Sequence, residues 1–283
     1  MTAQSVPGAA FSLMGVVNVT PDSFSDGGLY LDPAAAIEHG LMLEAEGAAI
    51  LDVGGESTRP GADAVPTAEE LRRVLPVIEG LASGGASAQL SVDTSKATVA
   101  AAALAAGATL VNDVTALRGD AEMAGVIAGS GADCCLMHML GDPRTMQLDP
   151  RYDDVVAEVK AFLEERIAFA VAAGIEEQRI LLDPGIGFGK TVEHNLELLR
   201  RVDELVALGR PVVIGTSRKG FLGRLTGRDV DRRLAATIAS CVVAYERGAR
   251  VFRVHDVAPV RDALTVAAAT VAPWTTRPTS SMG

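Results

Sequence analysis

The sequence has few aromatic residues, few cysteines, no excess of positive charge and no long apolar segment. Aromatic residues make up 4% of its 283 residues, and the formal net charge is −11. A nucleic-acid-binding protein needs surplus lysine and arginine on one face to neutralise phosphates, so this charge argues against such a partner. Because no run of about 18 apolar residues occurs, we predict neither a membrane span nor a membrane partner.

The three cysteines, Cys134, Cys135 and Cys241, give no disulfide framework. So few cysteines fit a reducing compartment, and we expect a cytoplasmic protein. Successive residues of a strand point to opposite faces, so Cys134 and Cys135 should not bind one metal ion. Residues 1–10 lack the basic and apolar regions of a secretion signal, and we expect flexible tails at 1–10 and 273–283.

Apolar residues are plentiful, at 48% of the sequence, and alanine and valine abound among them. Short apolar runs typical of buried parallel strands recur at 13–19, 49–54, 89–93, 108–113, 133–138, 179–183, 211–216 and 250–255. Segments with helical periodicity lie between them at 32–46, 67–81, 95–105, 152–173, 192–207 and 229–247. The sequence therefore predicts an α/β fold, with helices packed on a parallel sheet.

Eight alternations of strand and helix predict a closed (β/α)8 barrel, a TIM barrel, formed by residues 11–272 as one domain. An open, doubly wound sheet is the alternative. In a barrel, the strand ends converge on one C-terminal mouth, where the active sites of such folds lie. This convergence favours the barrel, because nearly every apolar run ends in a polar residue. These residues are Asn18, Asp52, Asp93, Asn112, His138, Asp183, Ser217 and His255.

Residues 183–191 resemble a phosphate-binding loop at first sight, but Pro184 stands where that motif requires glycine. The segment does not match G-x-G-x-x-G either, so neither a nucleotide triphosphatase nor a dinucleotide-binding fold is supported. We expect Gly185, Gly187 and Gly189 to let a flat ring approach the backbone. The loop is therefore interpreted as part of a ligand site.

Short polar side chains at three strand ends suit a heterocyclic ligand. Asp93, Asn112 and Asp183 offer oxygens that pair with the N–H and exocyclic NH2 groups of an aminopyrimidinone. Arg253 and His255 alternate along the last strand, so their side chains face the same side and predict an anion site. The sequence thus predicts an anion site and a heterocycle site at one barrel mouth.

Two further aspartates are expected to have structural roles. We predict that Asp113 and Asp256 each cap the helix that follows. The helix after Asp256, with Pro259 in its first turn, would also direct its N-terminus toward the anion site, as is common after the last strand of a barrel.

Residues 14–28, 52–61, 216–219 and 253–256 together resemble the bacterial dihydropteroate synthases, the pterin-binding barrel family that joins a pterin to p-aminobenzoate. The resemblance covers nearly the whole chain. It implies a transferase of folate biosynthesis that converts 6-hydroxymethyl-7,8-dihydropterin pyrophosphate and p-aminobenzoate to 7,8-dihydropteroate and pyrophosphate, by an SN1-like route. It also implies Mg2+ as cofactor, sulfonamides as inhibitors and a homodimer.

The resemblance further implies roles for individual residues. The pterin-binding residues are Asp93, Asn112, Met137, Asp183 and Lys219. The residues of the p-aminobenzoate site and its loops are Asp22, Phe24, Thr58, Arg59, Pro60, Phe188, Lys219 and Gly220. The pyrophosphate-binding residues are Asn18, Thr58, Arg59, Arg253 and His255, and Asn18 also binds Mg2+. The catalytic residues are Asn18, Asp93, Lys219, Arg253 and His255.

Two polar loops, at residues 20–28 and 56–65, are expected to close over the substrates. They are rich in Gly, Pro, Ser and Asp. Gly220 departs from the family pattern, because many relatives carry serine or arginine there. Binding of the p-aminobenzoate carboxylate at this position would therefore rely on backbone N–H groups and the helix N-terminus.

Three other functions are compatible with the same residues. A metal-dependent barrel lyase would use Asp52, Asp93 and Asp183 as ligands and Lys219 as base. The pterin-binding barrel of cobalamin-dependent methyltransferases is related, but no cobalamin-binding segment accompanies this chain. A non-catalytic pterin carrier would bind pterin without turnover, and an anion site at Arg253 and His255 has no purpose in it.

Overall fold

The computed structural model describes residues 11–20, 32–57, 63–142 and 145–271. Within these ranges, eight strands alternate with ten α-helices. The strands are β1 (Ser12–Asn18), β2 (Ile50–Gly54), β3 (Gln89–Asp93), β4 (Leu110–Asp113), β5 (Asp133–Met137), β6 (Ile180–Asp183), β7 (Val213–Ile214) and β8 (Val251–Val254). They coincide with the eight predicted runs, each shortened or shifted by up to two residues at its ends.

The helices cover the outside of the sheet. They are α1 (Pro33–Ala45), α2 (Thr67–Ser83), α3 (Ala97–Ala105), α4 (Met123–Ser130), α5 (Val155–Ala172), α6 (Val192–Arg200), α7 (Val202–Val206), α8 (Gly220–Thr226), α9 (Leu234–Glu246) and α10 (Val257–Val271). Among the described residues, no helix combines the length and the apolar character needed to cross a membrane.

The strands form one parallel sheet in the order β6-β5-β4-β3-β2-β1-β8-β7. The two outer strands of this order meet at a parallel bridge between Leu182 and Val212. Beside it, the Leu182 N–H donates to the Pro211 carbonyl at 2.9 Å. This contact closes the sheet, so the predicted barrel is confirmed and the open sheet is wrong.

Two predicted helices differ from the observed ones. The helix predicted at 192–207 is divided into α6 and α7, because Arg201 leaves the helical region at φ −117° and ψ 26°. The helix predicted at 229–247 begins only at Leu234, after a 3-10 turn over Val230–Arg232. The pattern did not predict α4 and α8, whose 8 and 7 residues are too few for a clear helical period.

Apolar side chains form an outer core between strands and helices and a small inner core inside the barrel. The inner core consists of Met14, Ile50, Leu110, Cys135, Val213 and Val251. Cys134 belongs to the outer core instead. The prediction that the two adjacent cysteines face opposite sides of β5 is therefore confirmed.

The register of the sheet sets polar side chains at the C-terminal mouth. Asn18, Gly54, Asp93 and Asn112 are Cα partners across four adjacent strands. Arg253 pairs with Met14, four residues before Asn18, so its Cα lies deeper in the barrel. Its long side chain must extend toward the mouth to reach the polar side chains at the ends of the other strands.

Candidate active site

A cleft of about 470 Å³ opens at the C-terminal mouth. Its walls combine apolar side chains with carboxylates and cationic side chains. The lining residues are Val16, Asp93, Asn112, Val114, Met137, Asp183, Ile186, Phe188, Gly215, Ser217, Lys219, Arg253 and His255.

Arg253 bridges two carboxylates at the base of the cleft. Its Nε donates to Oδ2 of Asp52 at 2.7 Å, and its Nη2 donates to Oδ2 of Asp93 at 2.8 Å. Asp52 is fully buried and also accepts from Ser91 at 2.6 Å and from Asn112 at 3.0 Å. This network fixes Arg253 and Asn112 in place, as buried ion pairs do when their remaining bonds are satisfied.

Asp93 is a carboxylate whose charge state is sensitive to its surroundings. Burial raises its pKa to about 7, although the charge of Arg253 opposes this, and the neighbouring charge of Asp52 adds to it. A group that titrates near neutrality inside a cleft is typical of a functional site.

Asp183 directs one oxygen to the backbone and has the other available. Its Oδ1 accepts from the Gly185 N–H at 2.7 Å, while Oδ2 has no hydrogen-bond partner among the described residues. Only 6% of the residue is exposed, and burial raises its pKa. Such a carboxylate is a strong acceptor for ligand N–H groups.

Lys219 extends its ammonium over the ring of Phe188, with Nζ 4.0 Å from the ring centroid. Gly187 lies behind this pair, and a Cβ added there would approach Cδ of Lys219 to 3.2 Å. Burial and then the charge of Arg253 lower the pKa of Lys219 to about 8, although the charges of Asp183 and Asp93 oppose this shift. Lys219 and Phe188 thus form one wall of the cleft.

His255 is neutral and held by Ser217. The Ser217 hydroxyl lies 3.0 Å from Nδ1 and accepts from the His255 backbone N–H at 3.2 Å. If this hydroxyl donates to Nδ1, the ring proton is on Nε2, where it is available to a ligand. Burial lowers the pKa of His255 to about 3, assisted by the charges of Arg253 and Arg218.

The two aspartates expected to cap helices behave differently. Asp113 accepts from the backbone N–H groups of Thr115 and Leu117 and stabilises a turn, while the next helix begins only at Met123, so the prediction that it caps a helix is wrong. Asp256 instead forms two hydrogen bonds with Arg218, at 2.6 and 3.1 Å. The Ala258 N–H in the first turn of α10 donates to Glu46. These carboxylates make the N-terminus of α10 unfavourable for an anion.

Two glycines of the loop after β6 are required by close packing of the backbone. Gly185, Gly187 and Gly189 all have positive φ. A Cβ at Gly185 would lie 1.9 Å from the His138 carbonyl oxygen, and one at Gly189 would lie 2.7 Å from that of Leu140. Gly185 and Gly189 are therefore required by the packing of the loop itself, and the expectation that the glycines admit a flat ring stays a prediction.

This chain is similar to known pterin-binding enzymes over most of its length. The family described as pterin binding enzyme matches residues 14–255. The dihydropteroate synthase of Neisseria meningitidis serogroup C is 47% identical over 256 residues, which cover 89% of this chain and 90% of that protein. The chain belongs to the dihydropteroate synthase family of pterin-binding enzymes. The predicted family, with its transferase class and its role in folate biosynthesis, is confirmed.

Two solved structures show the same fold in the dihydropteroate synthase family. The Xanthomonas albilineans enzyme with 4-aminobenzoic acid has a TM-score of 0.87 and 53% identity, covering 92% of this chain and 93% of that one. The Yersinia pestis enzyme in a sulfonamide drug complex has a TM-score of 0.88 and 43% identity, covering 92% and 94%.

Most residues given roles by the resemblance to dihydropteroate synthases line the cleft, but some do not. Asn18 ends β1 at the mouth without lining the cleft. Gly220 begins α8, and a Cβ there would meet nothing within 4 Å, so a side chain would be tolerated. Five of these residues lie outside the described residues: Asp22, Phe24, Thr58, Arg59 and Pro60.

The structure adds Asp52 and Ser217 to the groups that shape the site. The sequence showed both as polar strand ends, but it gave Asp52 a role only in the alternative metal-dependent lyase. That alternative loses its ligand set here, because Asp52 is engaged by Arg253, Asn112 and Ser91. Across the described ranges, no group of three or more His, Cys, Asp or Glu side chains could hold a metal ion.

Proposed function

We propose that this chain joins 6-hydroxymethyl-7,8-dihydropterin pyrophosphate to p-aminobenzoate, giving 7,8-dihydropteroate and pyrophosphate. The observation that supports this most strongly is the cleft, which brings the carboxylates of Asp93 and Asp183 together with the side chains of Lys219, Arg253 and His255. One substrate carries both a donor-rich ring and an anionic tail, and it needs this pairing of charges. Family membership supplies the reaction, and the cleft is consistent with it.

The pterin ring would bind at Asp183 and Asn112. Asp183 Oδ2 is available for the ring N–H and exocyclic NH2 groups, and Asn112 is held in a fixed orientation by Asp52. Met137 lies 4% exposed in the wall and offers an apolar, polarisable surface to the flat ring. Lys219 would complete the polar contacts from the opposite side.

The pyrophosphate would bind at Arg253 and His255. An arginine side chain has five N–H donors, and Arg253 uses two of them on Asp52 and Asp93. Three donors remain for phosphate oxygens, and Nε2 of His255 supplies another when the Ser217 hydroxyl donates to Nδ1. Asn18 would contribute from the rim of the mouth.

Magnesium fits this arrangement as a metal that arrives with the pyrophosphate. The protein offers the amide oxygen of Asn18 at the mouth, and a lone oxygen ligand suits Mg2+, which keeps several waters and binds mainly to substrate phosphates. Asn18 would hold the ion, which would neutralise charge on the leaving pyrophosphate.

A dissociative route follows from the charges in the cleft. The bond between the pterin methylene carbon and the pyrophosphate oxygen breaks first, and Arg253 and His255 stabilise the leaving anion. Asp93 lies beside Arg253 and would stabilise the cationic pterin methylene. The amine of p-aminobenzoate then forms the new C–N bond and releases a proton, so no strong general base is needed.

The p-aminobenzoate site would be bounded by Phe188 and Lys219, whose ring and ammonium are already in contact. Gly220, the first residue of α8, leaves open space beside them. We propose that Asp22, Phe24, Thr58, Arg59 and Pro60 complete this site from their loops. By the same reasoning, sulfonamides would bind there in place of p-aminobenzoate.

We further propose a cytoplasmic homodimer whose single barrel domain spans residues 11–272. Among the described residues, ten large apolar side chains are exposed, and five of them lie between α8 and α10. These are Leu225, Val230, Leu234, Val243 and Val266. Such a concentration on one side suits contact with a second copy. Size measurement in solution would test it.

The pterin assignment predicts a pH dependence. Affinity for unphosphorylated 6-hydroxymethylpterin should fall up to about tenfold for each pH unit below about 7, because protonation of Asp93 removes an acceptor for ring N–H groups. Calorimetry between pH 5.5 and 8 measures this directly. Omitting the pyrophosphate group excludes its own titration from the result.

The Asp93→Asn variant is the control for this pH dependence. Its side chain cannot ionise, so its weaker binding should not vary with pH around 7. A wild-type affinity that stays constant between pH 5.5 and 8 would contradict a role for ionised Asp93 in pterin binding.

A further inference from the structure

A second buried lysine lies behind the wall of the cleft, outside the groups used so far. Lys190 is 2% exposed and ends the loop that follows β6. Its Nζ lies 2.9 Å from the Phe188 carbonyl, 2.9 Å from Nδ1 of His138 and 3.5 Å from the His138 carbonyl. The three N–H donors of an ammonium thus meet three acceptors.

His138 is fixed as an acceptor by this arrangement. Burial lowers its pKa to about 2, and the charge of Lys190 contributes to the lowering, so the ring is neutral. Its edge also contacts the ring of Phe162, with centroids 4.9 Å apart. The carbonyl oxygen and the ring of His138 therefore form a rigid binding site for the Lys190 ammonium.

Other side chains fix different parts of the same loop. The amide of Gln147 donates to the Gly187 carbonyl at 2.6 Å, and the hydroxyl of Tyr152 donates to the Gly189 carbonyl at 2.8 Å. The side chain of Asn195 accepts from the Gly187 N–H at 2.7 Å. Among the described side chains, only that of Lys190 bonds to the backbone of Phe188, the residue whose ring lines the cleft.

A buried ammonium without a carboxylate in contact is unfavourable for stability. Burial lowers the pKa of Lys190 to about 7, although the charge of Asp183 opposes this. An apolar side chain of similar length would avoid that desolvation cost. A role in the site explains why a lysine stands there, since its bonds fix Phe188 from outside the cleft.

We propose that Lys190 is a positioning residue for p-aminobenzoate: by binding the Phe188 carbonyl, it keeps the Phe188 ring in contact with Lys219. This role rests on the proposed function, because the contact forms the wall assigned to p-aminobenzoate. Lys190 itself does not touch the cleft. Its loss should therefore weaken this substrate selectively and leave the pterin contacts of Asp183 and Asn112 in place.

The chain is suited to a direct test because it has only four lysines: Lys96, Lys160, Lys190 and Lys219. Lysine labelled with 13C at Cε therefore gives four NMR signals. The Lys219 signal should be displaced by the ring current of Phe188. We expect Lys190→Met to shift this signal at pH 6, whereas Lys160→Met, which removes a lysine from α5, should leave it unchanged.

The kinetic test compares the effect of the substitution on KM for p-aminobenzoate with its effect on pterin affinity. Lys190→Met should raise KM for p-aminobenzoate about tenfold, which corresponds to the loss of one or two hydrogen bonds. The affinity for unphosphorylated pterin should change less than this KM, because Asp183 and Asn112 keep their contacts. Lys190→Gln keeps an N–H donor on a side chain one atom shorter, so it should restore part of the loss.

Several outcomes would overturn this role. They are an unchanged Lys219 signal and KM in a folded Lys190→Met protein, equal losses for both substrates, or failure of both the Met and Gln variants to fold. If Lys190→Met alone does not fold, the Gln variant is measured in its place. The NMR measurement uses no substrate, so it tests the positioning of Phe188 even if the proposed reaction fails.

Discussion

Asp183→Asn should leave the fold intact and weaken pterin binding by about 2 to 3 kcal/mol, on the order of a hundredfold. The Oδ1 atom of Asp183 already accepts from Gly185, and Oδ2 is the acceptor left for the ligand. An amide in this position retains one acceptor and gains two donors. Donors would then face the N–H and NH2 groups of the pterin, which they cannot bond.

Calorimetry with 6-hydroxymethylpterin measures this effect, and a thermal melt checks the fold. Asp133→Asn is a matched control, because Asp133 begins β5 at the opposite end of the barrel and contacts Gln89 and Arg179. It should bind pterin normally. Unchanged affinity in Asp183→Asn would remove Asp183 from the pterin site.

Arg253→Ala should have the second large effect. It should weaken binding of the pyrophosphate group and also destabilise the protein around Arg253. Each charge-assisted bond to the anion contributes about 1.5 to 3 kcal/mol. The substitution also leaves the buried carboxylates of Asp52 and Asp93 without their cation. Loss of one partner from a buried ion pair destabilises a protein by about 3 to 5 kcal/mol. Both pterin binding and the stability of the mouth should therefore decrease.

The anion contact is separated from these structural losses by comparing two ligands. The pyrophosphate-bearing pterin should lose at least about tenfold more affinity than bare hydroxymethylpterin, since only the former uses the free N–H groups of Arg253. Arg218→Ala removes an arginine that bonds to Asp256 near the mouth, and it should affect the two ligands equally. Equal losses in Arg253→Ala would place the anion site elsewhere.

The fold was predictable because apolar runs and polar strand ends repeat with a regular order along the chain. Asp93, Asn112, Asp183 and His255 stand at or just beyond the ends of such runs, and parallel pairing brings all of these ends to one mouth. The division of the helix at Arg201 was not predictable, because the helical periodicity continues on both sides of it.

The partners of Arg253 could not be predicted from the sequence either. Asp52 lies 201 residues earlier, and Asp93 lies 160 residues earlier. Their contact with Arg253 depends on the register of β8 against β1 and on the reach of a long side chain. Alternation along β8 showed which side Arg253 faces, but not that carboxylates already occupy two of its donors.

The direction of the Lys190 side chain could not be predicted from the sequence pattern either. In the sequence Lys190 lies in a segment that resembles a phosphate-binding loop but does not match that motif, so the pattern predicts no role for this lysine. In the structure its ammonium points away from the cleft, toward His138. The positive φ angles of Gly185, Gly187 and Gly189 turn the loop so that Phe188 lines the cleft while Lys190 is buried behind it.

The most direct measurement is pyrophosphate release by the full chain, given 6-hydroxymethyl-7,8-dihydropterin pyrophosphate, p-aminobenzoate and Mg2+. We expect one pyrophosphate for each 7,8-dihydropteroate formed, with net release depending on both substrates and lost in Asp183→Asn. A pterin carrier would bind the pterin and release nothing. Pterin binding without any pyrophosphate release, or release with no C–N bond formed, would contradict the synthase reaction.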